Sequence, residues 1–376
     1  MGFVARMGLG RAGIITLLLL PLIVAVSYSL ATQTLDVPTE WDFFAPAGAS
    51  FLTGDWAGVF DDVGLQAGLL EILPYGIALQ LGLSGTLAWT VLYSFLAAVM
   101  IFGLVAAIFT TAGDHRGRFI TYIALAAAVV AIVGGSIPYA ISVSHPSQVM
   151  IPLLWAIAAQ CAREGYFVAC GALIGVSAGW ETWGVLGAPV IFLAARPGFV
   201  RAALGGIAAL VILYVPFAVF GTFHMFEMSW DVSGKGVVGL LFPDLETFPW
   251  SLRLLQAVLA LAAGCGMALL ARGYARGTWL VPFAVLAARD LFDPLQYGYY
   301  LIAATTMGIG LLAVIVYTRD WKLVAVAALY VAWTASSLSS LYIGHLVLVV
   351  FVGVMAAWLI VERRRARTSL VGQAHT

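Results

Sequence analysis

The sequence predicts an all-α polytopic membrane protein, and three observations lead to this fold class. Of the 376 residues, 62% are hydrophobic and only 10% are charged, whereas an ordinary soluble domain has roughly 25% charged residues. The apolar residues fall into long runs, and a helix needs roughly 20 of them to cross a bilayer. Most charged residues lie between these runs. A water-soluble fold could not cover so much apolar surface, so we expect a bundle of membrane-spanning helices.

The apolar runs predict about twelve spans within a single transmembrane domain that covers residues 1–361. Three consecutive runs have only about fifteen residues each, which is too short to cross straight unless they pack inside protein or border a water-filled cavity. Misjudged boundaries are the alternative. The predicted spans are about 13–31, 85–112, 119–142, 149–162, 166–180, 183–195, 202–221, 252–271, 278–290, 297–317, 322–336 and 342–361.

The distribution of charge predicts the orientation. If both termini are cytoplasmic, fifteen of the eighteen Lys and Arg residues lie inside, as the positive-inside rule requires. Lys235, Arg253 and Arg289 then lie outside or at the outer interface, together with fourteen of the eighteen acidic residues. We therefore expect a multi-pass protein of the cell membrane whose polar chemistry faces outward.

Two of the predicted outer loops are too long to be simple connectors, residues 32–84 and 222–251. The first contains an amphipathic piece, residues 68–82, that could lie along the membrane interface. Residues 362–376 form a basic cytoplasmic tail. A formal net charge of zero argues against a nucleic-acid partner.

The first outer loop begins with the acidic and aromatic stretch TEWDFFAPAGASFLTGDW, residues 39–56. Asp42 lies about ten residues past the first span and is followed by Phe43 and Phe44. A carboxylate at the lip of an interfacial pocket can accept a proton from a hydroxyl group as that group becomes a nucleophile. Asp42 is therefore our candidate base, and an acidic surface loop is the alternative.

Two further candidates flank the short helices. His145 precedes Pro146 on the outer side, where it is either a substrate contact or a packed or solvated side chain. Glu181 lies between two short runs in the sequence GWETW. A carboxylate that close to the bilayer is costly unless it has a partner or a cavity. We expect both residues to contribute to substrate binding.

The late segment RDLFDPLQYGYY, residues 289–300, combines Arg289 with Asp293 and Tyr299. The planar guanidinium of Arg is well suited to hold a phosphate. Of the outward cations, we expect Arg289 to be the phosphate ligand, with a protonated His145 second, because Lys235 lies in a glycine-flanked loop and Arg253 fits an interfacial anchor. The alternative is an interfacial Arg–Asp pair beside an aromatic belt.

The sequence contains no zinc-ligand spacing and no phosphate loop, so we expect neither a metal nor a cofactor. A metal site that uses Asp61 and Asp62 is the less favoured variant.

Several of these stretches together resemble the GT-C class of membrane glycosyltransferases, and in particular glycosyltransferase family 87. The resemblance lies in WDFFAPAGASFLTGDW, in the run of short segments from His145 to Pro197, and in RDLFDPLQYGYYL. It covers roughly 150 of the 376 residues. It implies a GT-C-like bundle of about twelve helices, several of them short, with a long first outer loop.

The resemblance also implies an activity. Such an enzyme takes a sugar, mannose or another hexose or pentose, from a polyprenyl-phosphate donor and transfers it to a lipid or glycan acceptor on the outer face, usually without a metal. The catalytic base of the family carries over to Asp42. Membrane lipids are further expected partners.

A transporter of the major facilitator type, or a lipid flippase, is the alternative function. Twelve spans with both ends inside fit a transporter, and AGDHRGR at residues 112–118 resembles its cytoplasmic motif. A first outer loop of about fifty residues and three consecutive short helices do not suit two six-helix halves. A catalytically inactive scaffold of the same fold is the third possibility.

Overall fold

A computed structural model describes residues 9–33, 40–112, 118–234, 236–272, 278–295, 297–319 and 341–373. Within these ranges the protein is all-α apart from one two-stranded ribbon, as the sequence predicts. The helices are α1 Leu9–Leu18, α2 Leu20–Gln33, α3 Trp41–Thr53, α4 Leu69–Gln80, α5 Gly85–Thr111, α6 Arg118–Val133, α7 Ser136–Ser142, α8 Ser147–Glu164, α9 Phe167–Trp180, α10 Phe199–Phe220, α11 Val237–Leu241, α12 Trp250–Ala271, α13 Leu280–Leu291, α14 Tyr300–Thr318 and α15 Leu341–Gln373.

By length and composition, four helices of the described residues could each cross a membrane: α5, α10 together with the preceding turn, α12 and α14. The number rises to six if each of two bent helix pairs counts as one span. Pro21 disrupts the helix between α1 and α2, which meet at 54°, because proline cannot complete the helical hydrogen bonding. Gly135, with a φ of 86°, ends the turn between α6 and α7, which meet at 46°.

The prediction of about twelve separate spans is therefore met only in part. The three short runs are separate segments, namely α8, α9 and a 3₁₀ segment, Thr182–Leu193. Glycine and proline within Thr182–Leu193 disfavour a regular α-helix. The predicted span 278–290 corresponds to the twelve residues of α13. The predicted span 322–336 lies outside the described residues, as do Arg116 and Lys235.

Close helix crossings at glycine hold the broken segments together. Along α9, Gly171 and Gly175 face Ala202, Gly206 and Ala209 of α10, and a methyl group on Gly175 would lie 2.5 Å from Ala209 Cβ. Such stripes of small residues let helix backbones approach within a membrane. This contact brings the end of α9 beside α10 and so fixes where Glu181 lies.

The buried indole of Trp155 holds the 3₁₀ segment against α8 and α9. Its Nε1 donates to the Ser177 hydroxyl at 3.0 Å and to the Gly184 carbonyl at 2.9 Å. A methyl group on Gly187 would lie 2.3 Å from the same nitrogen, so only glycine fits there. The segment after Glu181 is thus packed inside protein, one of the two conditions under which a short span is tolerated.

The two long loops fold and pack against each other. Helices α3 and α4 cross where Gly48 meets Gly76. The second loop forms an antiparallel ribbon of β1 (Trp230–Asp231) and β2 (Thr247–Phe248). The Thr222 hydroxyl donates to Asp61 Oδ1 at 2.6 Å, and the His224 backbone N–H donates to the Phe60 carbonyl at 3.1 Å. The predicted amphipathic piece is the helix α4, whose buried face packs on α3; its place along a membrane interface stays a prediction.

Candidate functional site

A cavity of about 890 Å³ lies where the ends of several helices meet. Its wall is formed by the starts of α3, α4, α12 and α14, the ends of α9, α10 and α13, and the second long loop. The lining is mainly apolar and aromatic, with a few charged groups. This is the usual composition of a pocket for an organic ligand.

One wall of the cavity is acidic and centres on Glu181. Its Oε2 accepts hydrogen bonds from the Ser147 hydroxyl at 2.9 Å and from the Gln148 side chain at 3.4 Å. Burial raises the pKa of Glu181, while Arg289 acts in the opposite direction. Glu40, which is half-buried, and Glu71, which is fully buried, line the same cavity.

The other wall carries two arginines. Arg289 is 5% exposed, and its Nη1 donates to Asp290 at 3.0 Å. Arg253 Nη1 donates to Asp293 at 3.1 Å and to Gln256 at 2.7 Å. Asp293 also lies 4.0 Å from Nη2 of Arg289, so one carboxylate contacts both guanidinium groups. Because Arg side chains have five donors, both arginines retain capacity for a ligand.

Aromatic rings fix the arginine planes. The guanidinium carbon of Arg253 lies 4.3 Å from the ring centroid of Trp230, and that of Arg289 lies 4.3 Å from the ring of Trp183 and 5.0 Å from that of Tyr300. Cation–π stacking of this kind stabilises a charge that has lost water. The arginines are therefore held in place before any anion binds.

One exposed side of the cavity lies between the apolar helices α10 and α12. Val185, Val215 and Leu254 line the cavity and are nevertheless 40%, 43% and 63% exposed. These three residues belong to the 3₁₀ segment, α10 and α12. Two of the four candidate spans thus flank the opening, and they are the two least buried inside the protein.

The structure brings four of the six sequence-predicted site residues together in this cavity: His145, Glu181, Arg289 and Tyr299. The rings of His145 and Tyr299 stack with centroids 4.4 Å apart. Asp293 does not line the cavity but holds the two arginines from behind. Its predicted role in substrate binding stays a prediction, while its contacts with both arginines support a positioning role.

Asp42 is the exception. It is exposed in the first turn of α3 and is not among the described residues that line the cavity. Helix α3 begins at Trp41, so its buried face starts at Phe44 and leaves Asp42 outside. A carboxylate in the first turn of a helix interacts favourably with the helix dipole. This interaction is a reason for an acidic residue at position 42 that requires no catalytic role. Asp42 thus lies beside the lining residues Glu40 and Phe43 without lining the cavity itself, and its role as the base stays a prediction.

His145 also differs from its predicted role as a second cation. Burial lowers its pKa to about 4, with Glu40 opposing and Arg289 adding to the effect. The imidazole is therefore neutral at pH 7. Without a bound anion it can accept or donate a hydrogen bond but carries no charge.

Sequence reasoning did not include Glu40, Glu71 and Gln256 among the site residues, and it interpreted Arg253 as an interfacial anchor. Arg253 and Gln256 are three residues apart at the start of α12, a spacing that places two side chains on one helix face. Glu71 lies on the amphipathic piece, where a carboxylate among apolar residues was a usable signal. Glu40 lies just before the first residue of α3, whereas Asp42 lies in its first turn. No signal in the sequence favoured Glu40 over Asp42.

The less favoured prediction, a metal site at Asp61 and Asp62, finds no support in the contacts of the two side chains. Asp61 accepts the Thr222 hydroxyl, and Asp62 Oδ1 accepts the backbone N–H of Gly64 at 2.7 Å. Among the described residues no three His, Cys, Asp or Glu side chains lie close enough to hold a metal ion.

Fold and site together define an all-α protein with membrane-type helices and one large amphiphilic cavity. Comparison of the chain with family models and with curated proteins finds no match in either set.

Proposed function

We propose that the protein is a membrane glycosyltransferase of GT-C type. It transfers a hexose or pentose from a polyprenyl-phosphate donor to a lipid or glycan acceptor at the outer face of the cell membrane. One observation carries the proposal: a single cavity combines a carboxylate wall, two arginines and an opening between apolar helices. These are the groups needed for a base, a phosphate and a lipid chain.

The opening beside Leu254 supports a lipid-borne donor. Because its flanking helices are largely exposed, a bilayer would meet the cavity there. An apolar chain can stay in the bilayer while its phosphate reaches the arginines. The arginine wall then supplies the positive charge that an anionic headgroup needs on a face with many acids.

Glu181 is the base in this proposal, in place of Asp42. Its carboxylate accepts the proton of an acceptor hydroxyl as that oxygen attacks the anomeric carbon of the sugar. The bond between this carbon and the phosphate oxygen breaks, and the electron pair leaves on the polyprenyl phosphate. Arg253 and Arg289 stabilise that leaving charge. The products are the new glycosidic bond, the protonated carboxyl group of Glu181 and the free lipid phosphate.

Orientation follows the charge distribution. The two long loops, His145 and Glu181 all border one cavity. Arg272 donates to the Ala194 carbonyl at 3.2 Å. This hydrogen bond brings together two segments that are both predicted to be cytoplasmic. We place the cavity outside, both termini in the cytoplasm, and about twelve crossings in the whole chain.

The test is incubation of the purified protein in liposomes with radiolabelled polyprenyl-phosphate hexoses and pentoses and extracted membrane lipids. Transfer of label to a new lipid or glycan supports the proposal. Movement of intact donor between leaflets without transfer supports the flippase alternative. Binding of donor with neither outcome supports an inactive scaffold.

A further inference from the structure

Glu71 is a buried carboxyl group that the transfer step above does not use. It lies in α4, outside the candidate spans, and its side chain is 0% exposed. Oε1 accepts the backbone N–H of Ser147 at 3.3 Å, at the first residue of α8. Oε2 is buried without a hydrogen-bond partner among the described residues. An ionised carboxylate so poorly solvated is costly, whereas a neutral carboxyl group costs far less.

The same serine connects Glu71 to Glu181. Ser147 donates its backbone N–H to Glu71 and its hydroxyl to Glu181. Glu181 has a second donor in Gln148 and lies within the electrostatic influence of Arg289. The negative charge is therefore better stabilised on Glu181 than on Glu71.

Several charged and titratable groups surround the two carboxyls. Glu40 and Glu181 act on Glu71, and both disfavour a second negative charge there. Arg289 and Arg253 act on Glu181 and favour its ionised form. The further neighbours of the two carboxyls are Tyr75, Tyr214 and Tyr299, and His145 interacts with Glu40 and Arg289. Because two close carboxylates repel each other, the pair as a whole prefers one proton and one charge.

We infer that Glu71 and Glu181 form a linked pair that holds one proton, with Glu71 as the neutral member and Glu181 as the ionised one. Glu71 is then a positioning residue: its neutral carboxyl accepts the first N–H of α8 and limits the negative charge next to the base. The charge assignment stands on the contacts alone. Its consequence for catalysis rests on the proposed glycosyltransferase function.

The pair predicts a pH-dependent stability. Burial first, and Glu181 second, raise the pKa of Glu71 well above its ordinary value. The folded state therefore binds a proton that the unfolded state releases. Such a group stabilises the fold fully below its unfolded pKa, and this contribution is lost as the pH rises through the folded pKa. Glutamine at position 71 keeps the shape and carries no such dependence.

The experiment compares wild type, Glu71→Gln and Glu164→Gln in detergent between pH 5 and pH 8. Glu164 is an exposed glutamate that binds Gln160 and serves as the matched control. We expect the melting temperature of Glu71→Gln, relative to wild type, to rise as the pH rises, while Glu164→Gln follows wild type. A Glu71→Gln difference that is the same at every pH would overturn the assignment.

Infrared difference spectroscopy gives a second measurement that does not depend on the folding of Glu71→Gln. At pH 7 wild type should show the C=O stretch of a buried protonated carboxyl, and this band should remain in Glu181→Gln. In Glu181→Gln the band should disappear at a lower pH on titration than in wild type, because the variant lacks the Glu181 charge that helps to raise the pKa of Glu71. A band that titrates identically in both proteins contradicts the linkage. Absence of the band from wild type would show that Glu71 is ionised.

The pH profile of sugar transfer tests the consequence for catalysis. If the transferase function holds, the acid limb of the pH profile should stay in place in Glu71→Gln, because glutamine replaces a carboxyl group that is already neutral when Glu181 titrates. An acid limb at lower pH in Glu71→Gln would overturn the charge assignment, because it would mean that a charged Glu71 had raised the pKa of Glu181 in wild type. If wild type transfers no sugar at all, the proposed function fails, and the stability and infrared results still decide the charge assignment.

Discussion

At the scale of single residues, the proposed chemistry depends on Glu181. The carboxylate lines the cavity, has two side-chain donors and faces the arginine wall. Its raised pKa makes it a stronger base than a solvated glutamate. Since only the ionised form accepts a proton, transfer should be lost as the pH falls through that raised pKa.

Replacement of this base is the first prediction. Glu181→Gln should reduce turnover by about 10² or more, the usual scale for a general base, and leave the melting temperature close to that of wild type. Asp42→Asn is the matched control, since Asp42 is exposed outside the cavity. The rate of sugar transfer by both variants is the measurement. A large loss in Asp42→Asn with an active Glu181→Gln would return the base to Asp42.

The second prediction concerns the phosphate contact. Arg253 is the cleaner test because its side chain is 17% exposed and its buried partner Asp293 still has Arg289 at 4.0 Å. Removal of Arg289, in contrast, leaves the buried Asp290 without its cation. Arg253→Ala should weaken donor binding by about 1.5–3 kcal/mol, the range for a charge-assisted hydrogen bond. Arg253→Lys should recover part of this, since it keeps the charge but not the planar stacking on Trp230. Donor titration that gives wild-type affinity for Arg253→Ala would remove Arg253 from the site.

At the scale of elements, helix crossings place the site. Glu40 lies just before α3 and Glu71 lies on α4, and both line the cavity. The two helices contact each other at Gly48 and Gly76. A methyl group on Gly76 would lie 2.2 Å from the carbonyl carbon of Gly48, which is backbone and cannot rotate away. The geometry of the acidic wall therefore depends on residues that have no side chain.

The third prediction tests this crossing. Gly76→Ala should lower the free energy of unfolding by about 1–3 kcal/mol, as overpacking does. Gly266→Ala is the control, because nothing lies within 4 Å of the added methyl group on α12. Denaturant unfolding in detergent gives both values. Equal stability of the two variants would mean that α3 and α4 separate at little cost.

The fourth prediction tests the opening between α10 and α12. Leu254→Trp should narrow the opening and raise the KM for a long-chain donor more than for a short-chain, water-soluble one. Leu255→Trp is the control, since Leu255 is 51% exposed on the same helix but does not line the cavity. If both donors are affected equally, the lipid chain does not pass there.

At the scale of the whole molecule, the orientation in the membrane is the fifth prediction. In a background without Cys161, Cys170 and Cys265, a cysteine at Asp231 should react with a membrane-impermeant reagent from outside, and one at Arg201 only after permeabilisation. Both positions are exposed in the structure. Trp41 and His145 are predicted to share the side of Asp231, but both are partly buried and less suited to labelling. Outside labelling at Arg201 would reverse the proposed orientation and the side on which transfer occurs.

The sequence by itself determined the all-α membrane class, the three short segments and the concentration of polar chemistry near Glu181 and Arg289. These follow from composition and from the spacing of apolar residues, which local physics converts into helices. Only the tertiary structure decided that Glu40 and Glu71, and not Asp42, line the cavity and that Arg253 joins Arg289. Such choices depend on where a helix begins, how closely two glycines let helices approach, and which side chains then converge from distant parts of the chain. None of these is a property of a local stretch of sequence.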